Sequence, residues 1–470
     1  MCDLESGDVL RAQESLQSLT SEIVSNNGTL DISTRLLHAK LKLATDDISG
    51  LGEIIESLGK EGESSALLYV AGELDATEHH AVAADAFQKL YDTILDGAGT
   101  DELCQQETFV FCSYLRHLKA SHQGKLESKK MTHVCEMFNS FMKRAMKQEA
   151  LLENTSYAQY LADYSWNIGL DAYHLSASEM AYKFMFVSAF VTSKLKASLD
   201  EIEASDYGFR QAVALVLAIT SLSTLEDIRG DDDVDMSPKS KHEAKALRIA
   251  DNMKRCKGAM SQLRAMLKNT TEERYNDLKH MANVLEYEIA CAERNVGAQE
   301  TIVTDFASKS SHDSGSISTL IMIADRGSRL RTSDLHVVGK AYDEALNALL
   351  NQCPNDSQTI ARVLRRRIQL AARIYKANDQ SLLSLYEKAE ETAAVSPGYP
   401  PVEAQWLLST CFNRAVRHER SMRTSMAIAW LKQTQQLLTA LQSILPDAME
   451  RYKHVIGDNL IVLSLEQDES

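Results

Sequence analysis

The sequence has few residues that interrupt a helix. Only six prolines and twenty glycines occur among its 470 residues, and aromatic side chains make up 6%. Runs of β-branched residues, which favour strands, are scarce. Proline lacks a backbone N–H and glycine costs conformational entropy, so a chain poor in both can be helical along most of its length. Hydrophobic residues make up 44%, enough for a core. The composition therefore predicts an all-α protein.

Motifs of the common catalytic and cofactor sites are absent. The sequence has no Gly-rich phosphate loop, no Gly-x-Ser-x-Gly and no His-Glu-x-x-His. An all-helical enzyme would need a polar pocket with perturbed carboxylates or histidines, and no cluster in the sequence indicates one. We therefore expect no enzymatic activity, no catalytic residue, no cofactor and no small-molecule substrate.

The cysteines and histidines do not predict a metal site. None of the eight cysteines belongs to a Cys-x-x-Cys pair, and none has metal-ligand spacing with a histidine pair. His133 and Cys135 point to nearly opposite faces of a helix, and His79-His80 is interpreted as a solvated pair at a turn. Most cysteines lie in apolar helical stretches, which is typical of small buried side chains in a reducing compartment.

Signals for secretion and membrane insertion are also missing. The N-terminus carries Asp3, Glu5 and Asp8 instead of a basic segment followed by an apolar one. The longest purely apolar run, 212–219, is far shorter than the roughly 20 residues that span a bilayer. We expect a soluble, intracellular protein with no membrane partner.

The charge is negative overall but uneven. A net charge of −16 disfavours general attraction to phosphate, so no direct specific nucleic-acid binding is expected. Residues 320–435, however, carry 16 Lys and Arg against 11 Asp and Glu. This basic part can be a solvated helix face, a surface for an acidic partner or a weak DNA contact. Its arginines are concentrated at Arg362, Arg365, Arg366, Arg367, Arg373, Arg414, Arg417, Arg420 and Arg423.

A stretch near the middle of the chain recurs near its end. Residues 158–195 align with residues 404–441 without a gap, at a separation of 246 residues. Self-similarity at long range is typical of repeat architectures, in which a helical hairpin is stacked many times. The matched pairs include Ala158 with Ala404, Gln159 with Gln405, Tyr160 with Trp406, Leu161 with Leu407, Trp166 with Phe412, Asn167 with Asn413, Gly169 with Ala415, Ala181 with Ala427 and Phe184 with Trp430.

Helical periodicity with a loop every thirty to forty residues predicts a tetratricopeptide-like α-solenoid of stacked antiparallel helical hairpins with a concave face. We divide it into an N-terminal half at 1–228, an exposed acidic loop at 229–242 and a C-terminal half at 243–470. The second half ends in a helix that begins at Pro446 and caps the stack. Within the loop, Ser237-Pro238 has the minimal form of a proline-directed phosphorylation site.

The repeated hairpin also carries the spacing of small and aromatic residues that tetratricopeptide hairpins use for packing. Trp166, Tyr173, Phe186 and Ala189 match that spacing, with Gly169 one place away from the usual glycine. We therefore expect these side chains to pack between helices.

Two aromatic–asparagine dipeptides, Trp166-Asn167 and Phe412-Asn413, occupy equivalent places in the repeat. Asparagine is unfavourable inside a helix because its side chain competes for backbone hydrogen bonds. In a structural interpretation, each amide bridges to the backbone of the neighbouring hairpin. In a functional one, an exposed aromatic anchor lies beside a specific donor and acceptor, which is typical of a protein-binding hot spot.

The same residues resemble the meiotic Spo-twenty-two and Zip-four family, which has a testis-expressed member in mammals. Residues 164–170 (YSWNIGL) look like an entry helix of that family, and residues 403–416 (EAQWLLSTCFNRAV) look like its later unit. The resemblance is clear over some 80 residues and extends from about 150 to 445. Family chains are usually much longer than 470 residues.

The resemblance implies a non-enzymatic tetratricopeptide scaffold in the nucleus, on chromosomes. Family members promote meiotic crossover recombination, link it to the synaptonemal complex and bind protein components of both. Their aromatic–asparagine pair is implicated in binding a central-element protein, and Phe412 and Asn413 match it here. The alternative is a cytoplasmic tetratricopeptide adaptor or complex subunit unrelated to meiosis. The predicted partner-binding residues are Trp406, Phe412, Asn413, Arg414, Arg417 and Arg420.

Overall fold

A computed structural model describes the chain except residues 1–8, 26–30, 46, 49, 61–62, 97–104, 123–127, 229–237, 269, 311–313, 375–378, 397 and 469–470. The described residues form twenty α-helices and two short 3-10 turns, without a strand. Within each of two compact units, most helices that are adjacent in sequence pack against each other in pairs. The predicted all-α, solenoid-like fold of helical hairpins is confirmed.

The chain divides into two compact units, 1–230 and 231–470, and each is described by itself. The helices of the first unit are α1 Val9–Ser25, α2 Ile32–Ala44, α3 Leu51–Lys60, α4 Ser64–Asp75, α5 His80–Leu95, α6 Glu107–Ser121, α7 Ser128–Ala145, α8 Thr155–His174, α9 Ser178–Leu195 and α10 Glu201–Ile228. Those of the second unit are α11 Pro238–Lys268, α12 Asn276–Ala292, α13 Val296–Ser310, α14 Ser314–Gly327, α15 Leu335–Gln352, α16 Ser357–Ile374, α17 Asp379–Val395, α18 Pro401–Arg420, α19 Thr424–Ala440 and α20 Pro446–Asp468.

A row of aromatic rings connects the helices of the first unit. Tyr91 of α5 stacks on Phe111 of α6, with ring centroids 4.8 Å apart, and Phe111 meets Phe138 of α7 at 4.9 Å. Phe138 then contacts Phe184 of α9 edge-on at 5.7 Å. All four side chains are buried. Burying one ring of this size contributes about 1.5–3 kcal/mol, so the row is a main source of cohesion between these hairpins.

The core of the second unit contains three tyrosines whose hydroxyl groups have partners. Tyr287 pairs with Ser333 at 3.2 Å, and Tyr386 donates to Thr410 at 2.9 Å. Tyr342 donates to Asp325 at 2.8 Å. A buried hydroxyl without a partner would cost about 1–3 kcal/mol, which these bonds offset. The bonds of Tyr342 and Tyr386 also join one helix to the next.

Three hairpin turns share one backbone motif at a non-glycine residue. Ser176, Arg294 and Met422 have φ of 57°, 54° and 55°, in the left-handed region. At Met422, the N–H of the next residue donates to His418 O, and that of Met422 itself to Glu419 O. This is the Schellman arrangement at a helix C-terminus, and the turns at Ser176 and Arg294 repeat it. Ser176 and Met422 are 246 residues apart, so the repeat extends to the turn.

Two helices, α3 and α13, have only a weak intrinsic helix propensity in the sequence. Gly52 and Gly59 lie near the ends of α3, and Gly297 lies at the start of α13, where glycine lowers helix propensity. Tertiary packing compensates, since Leu51, Ile55 and Leu58 of α3 are fully buried. Short helices depend on such packing more than on propensity.

Two local expectations need correction. Most of the predicted acidic loop at 229–242, including Ser237, lies outside the described residues, but α11 begins at Pro238, so the end of that segment is helical. Proline suits this position, because the first turn of a helix does not need its missing N–H. Tyr173 was expected to pack between helices but is exposed, with its ring beside that of His174.

Candidate functional site

The two related hairpins, α8–α9 and α18–α19, place equivalent residues in equivalent surroundings. Phe184 and its counterpart Trp430 are both fully buried. Ser165 and Ser188, at the contact of α8 with α9, correspond to Cys411 and Thr434 at the contact of α18 with α19. The Ser188 hydroxyl donates to Ala162 O at 3.2 Å, and Thr434 Oγ1 lies 3.3 Å from Cys411 Sγ. The sequence repeat is therefore also a repeat in structure.

A third helix covers the aromatic residue of each dipeptide. The guanidinium of Arg210, on α10, lies 4.9 Å from the Trp166 ring centroid. The Phe412 ring meets that of Tyr452, on α20, at 5.6 Å. Both Trp166 and Phe412 are half-buried. The repeat is thus a three-helix unit, and its dipeptide aromatic contributes to packing against the third helix.

The asparagine of each dipeptide faces solvent. Asn167 and Asn413 are exposed, and neither side-chain amide forms a hydrogen bond to any residue that the structure describes. The bridge to a neighbouring hairpin that the structural interpretation requires is therefore not formed among the described residues. The two donors and the acceptor oxygen of each amide are therefore accessible at the surface of the unit.

Trp406, Asn413, Arg417 and Arg420 form a stripe along α18, here called the α18 stripe. Their spacings of seven, four and three residues place them on one face of a helix. Trp406 is half-buried and the other three are exposed. Neither arginine of the stripe has a carboxylate partner among the described residues. Two exposed apolar side chains extend the surface, Val402 near the start of the helix and Met422 beyond its end.

Arg365 of α16 fixes the indole ring of the stripe. Its guanidinium lies 4.9 Å from the Trp406 ring centroid and its Nη1 is 3.2 Å from a carboxylate oxygen of Glu403. A cation over an indole face is attracted by the ring quadrupole. Arg365 belongs to the basic group seen in the sequence. Sequence spacing relates residues within one helix, so it could not predict the contact between Arg365 and Trp406, which lie in two different hairpins.

The other two predicted contact residues lie on different faces of α18. Phe412 packs against α20, as described above. Arg414 lies 3.6 Å from Asp379 of α17 and 5.6 Å from the ring centroid of Trp430. His418 and Arg423 also approach Asp379, at 3.3 and 3.9 Å. Arg414 thus belongs to an internal ion-pair cluster, whereas Arg417 and Arg420 face outward.

The equivalent stripe on α8 has a different charge. Residues 246 positions earlier are Tyr160, Asn167, Asp171 and His174, so a carboxylate and an imidazole stand where α18 presents two guanidinium groups. The aromatic residue and the asparagine are the common features of the two stripes. The charged residues beside them differ in sign between the two stripes.

The α18 helix also carries a buried cysteine, Cys411. Burial raises the pKa of the Cys411 thiol, on the inner side of the same helix, to about 12, so this thiol stays protonated and unreactive. Among the residues that the structure describes, no group of three or more His, Cys, Asp or Glu side chains could hold a metal ion. In the same part of the chain, no helix combines the length and apolarity needed to cross a bilayer.

Two comparisons with known proteins were made. A scan against protein-family models and a search of curated proteins both found no match.

Proposed function

We propose that this protein is a non-enzymatic helical-repeat scaffold that binds other proteins, and that the α18 stripe is one of its contact surfaces. The observation that carries the proposal is the position of Asn413, exposed between an indole ring and two arginines, with an amide that no described residue bonds. Tryptophan and arginine are the residues most enriched at binding hot spots. An amide beside them adds specificity, because a partner without complementary groups would leave it unpaired.

Within this class, we propose a role in meiosis. The scaffold would act in the nucleus, on chromosomes, in crossover recombination and synaptonemal complex assembly, with protein components of both as partners. The support is the resemblance of residues 164–170 and 403–416 to the Spo-twenty-two and Zip-four family, together with the exposed placement of Asn413. The alternative is a cytoplasmic tetratricopeptide adaptor or complex subunit, which would use the same surface for other partners.

The chain offers a matched pair of variants for the test. Asn413→Gln and Asn167→Gln alter the same exposed position in two hairpins of the same fold. Tagged full chains would be recovered from meiotic cells and the associated proteins quantified by mass spectrometry. We expect Asn413→Gln to lose one partner at least tenfold, and Asn167→Gln to retain it. Equal losses in both variants would show that the contact is not specific to α18.

Two controls separate lost contact from lost structure. Helicity and melting temperature should be nearly unchanged in Asn413→Gln, because exposed substitutions of this kind change stability by less than about 0.5 kcal/mol. Labelling of Cys411 reports on the hairpin itself, since this thiol is buried two residues from Asn413. Faster labelling in the variant would assign the amide a structural role. If wild-type chains recover no recombination or synaptonemal complex protein, the meiotic role is abandoned in favour of the adaptor.

A further inference from the structure

A second surface of the second unit is built from arginines. The end of α14, Tyr342 of α15 and the outer face of α16 enclose an open cleft of about 250 Å³. We call it the arginine cleft. Among the described residues that line it, the charged and hydrogen-bonding ones are Asp325, Ser328, Arg329, Arg366, Gln369 and Arg373, besides Tyr342.

The arginines of α16 differ in whether a carboxylate neutralises them. Arg365 contacts Glu403, Arg366 contacts Asp325, and Arg367 binds Asp343 through two hydrogen bonds of 2.9 Å. Arg373 has no carboxylate partner among the described residues, and neither does Arg329 from the loop after α14. Arg329 and Arg373, which lack a carboxylate partner among the described residues, therefore lie at the same cleft, whereas Arg362 of α16 also lacks one but does not line the cleft.

Hydrogen bonds hold the cleft in shape. Arg373 Nη1 donates to Ser328 O at 2.9 Å, which holds this guanidinium at the rim. Its other N–H groups have no hydrogen-bond partner among the described residues. The Tyr342 hydroxyl donates to Asp325 at 2.8 Å, and Arg366 bonds to the same carboxylate. Each oxygen of Asp325 thus accepts one hydrogen bond from inside the protein, and Arg366 neutralises its charge.

The charge of the cleft indicates the charge of its ligand. Three arginines and one aspartate give a net charge of +2, carried by guanidinium groups that can bind an anion through two parallel hydrogen bonds. A carboxylate side chain, with a charge of −1, would neutralise only half of this net charge. A phosphorylated side chain carries about −1.5 to −2 at pH 7 and offers three acceptor oxygens. A volume of about 250 Å³ corresponds to about eight waters at roughly 30 Å³ each, which accommodates a phosphate and the side chain bearing it.

We infer that the arginine cleft binds a phosphorylated serine or threonine of a partner protein, through Arg329, Arg366 and Arg373. The cleft is separate from the α18 stripe and the inference does not depend on the meiotic role. It makes one of this scaffold's contacts conditional on phosphorylation of the partner.

The test uses the full chain and an array of degenerate peptides with a central phosphoserine. Matched arrays carry serine or glutamate at that position. We expect binding to the phosphoserine array to be at least tenfold stronger than to either control array. It should also weaken below about pH 6, where the phosphate gains a proton, whereas a glutamate side chain remains ionised there.

Variants assign the binding to the cleft. Arg329→Gln and Arg373→Gln should each weaken phosphopeptide binding at least tenfold, with unchanged helicity because both side chains are exposed. Arg362→Gln is the matched control, since Arg362 is exposed on α16, has no carboxylate partner among the described residues and does not line the cleft. Asn413→Gln should leave phosphopeptide binding intact, which keeps this test independent of the proposed scaffold surface.

Three outcomes would overturn the inference. Equal binding to the phosphoserine and serine arrays would remove the requirement for phosphate. An equal loss of phosphopeptide binding in Arg362→Gln would show that the overall positive charge of the surface, and not the cleft, causes the binding. Retention of a short DNA duplex that depends on Arg329 and Arg373, without phosphopeptide binding, would assign the cleft to a nucleic-acid backbone.

Discussion

The ring of Phe412 meets the ring of Tyr452 edge-on, at an interplanar angle of 76° and a centroid distance of 5.6 Å. The contact joins the repeated hairpin to α20, whose Ile456 and Leu463 are buried in the same core. Aromatic pairs in this geometry are favoured because the positive edge of one ring faces the negative face of the other. Phe412 thus has a packing role inside the second unit.

A double-mutant cycle should measure this contact. We expect Phe412→Leu and Tyr452→Leu each to lower the free energy of unfolding, and the two changes together to lower it by less than their sum. The coupling should be about 0.5–1.5 kcal/mol, as for other aromatic pairs. Urea denaturation of the four proteins gives the value. Strictly additive losses would mean that the rings do not interact.

Replacing Met422 with glycine should stabilise the protein. Met422 is in the left-handed region at φ 55°, a conformation that costs a non-glycine residue roughly 1–2 kcal/mol. Its side chain is 88% exposed, so little packing is lost. We expect Met422→Gly to raise the free energy of unfolding by about 0.5–1 kcal/mol. Met146→Gly is the control, since Met146 is exposed in a turn but is not in the left-handed region. A similar gain in both variants would contradict the explanation.

Gly327 is required by a close approach of three helices. A Cβ at this position would lie 2.8 Å from Val338 Cγ2 and 3.0 Å from the Tyr287 hydroxyl oxygen. Both neighbouring side chains are fully buried, so they have little space to move away from the added methyl group. We expect Gly327→Ala to lower stability by about 1–3 kcal/mol, measured by chemical denaturation. Gly258→Ala, inside α11 with no atom within 4 Å of the new Cβ, should instead raise it by roughly 0.5–1 kcal/mol. A stabilised Gly327→Ala would show that the helices can separate.

His117 should make the first unit sensitive to acid. Its Nε2 lies 2.9 Å from Asp75 and its Nδ1 lies 3.1 Å from Nδ1 of His80. Burial lowers the pKa of His117 below 6.5, against the opposing effect of Asp75, so the folded state holds this ring neutral. The unfolded chain binds a proton below about pH 6.5 that the folded chain does not. Stability therefore falls as the pH drops from about 6.5 towards the folded pKa, and is restored as the pH rises.

Thermal unfolding between pH 5 and pH 8 checks this sign. Between pH 8 and pH 5, His117→Gln should lose less stability than the wild type does, whatever its stability at pH 8. Burial also lowers the pKa of His38, so some dependence should remain. His174→Gln, at an exposed position outside this contact, is the matched control. An unaltered profile in His117→Gln would contradict the assignment.

Composition and periodicity determined the all-α class, the hairpin succession and the equivalence of residues 158–195 with 404–441. These properties follow from local chemistry, because the spacing of apolar side chains decides which helix face is buried. Local chemistry is a weaker guide at α3 and α13, where glycines lower helix propensity and the packing of the unit makes the segments helical. It failed at Tyr173, whose spacing matched a packing position but whose side chain is exposed.

Only the tertiary structure decided which residues of α18 face outward and what lies beside them. From the sequence, Phe412, Asn413 and Arg414 were a single contact group. The structure turns Phe412 towards Tyr452 and Arg414 towards Asp379, and it leaves Asn413 on the stripe with Trp406. The arginine cleft also combines residues from three helices. The burial of a residue and its counter-ions depend on helices that are distant in the chain. Contacts between such helices produce no periodic pattern in a single sequence, so they cannot be predicted from it.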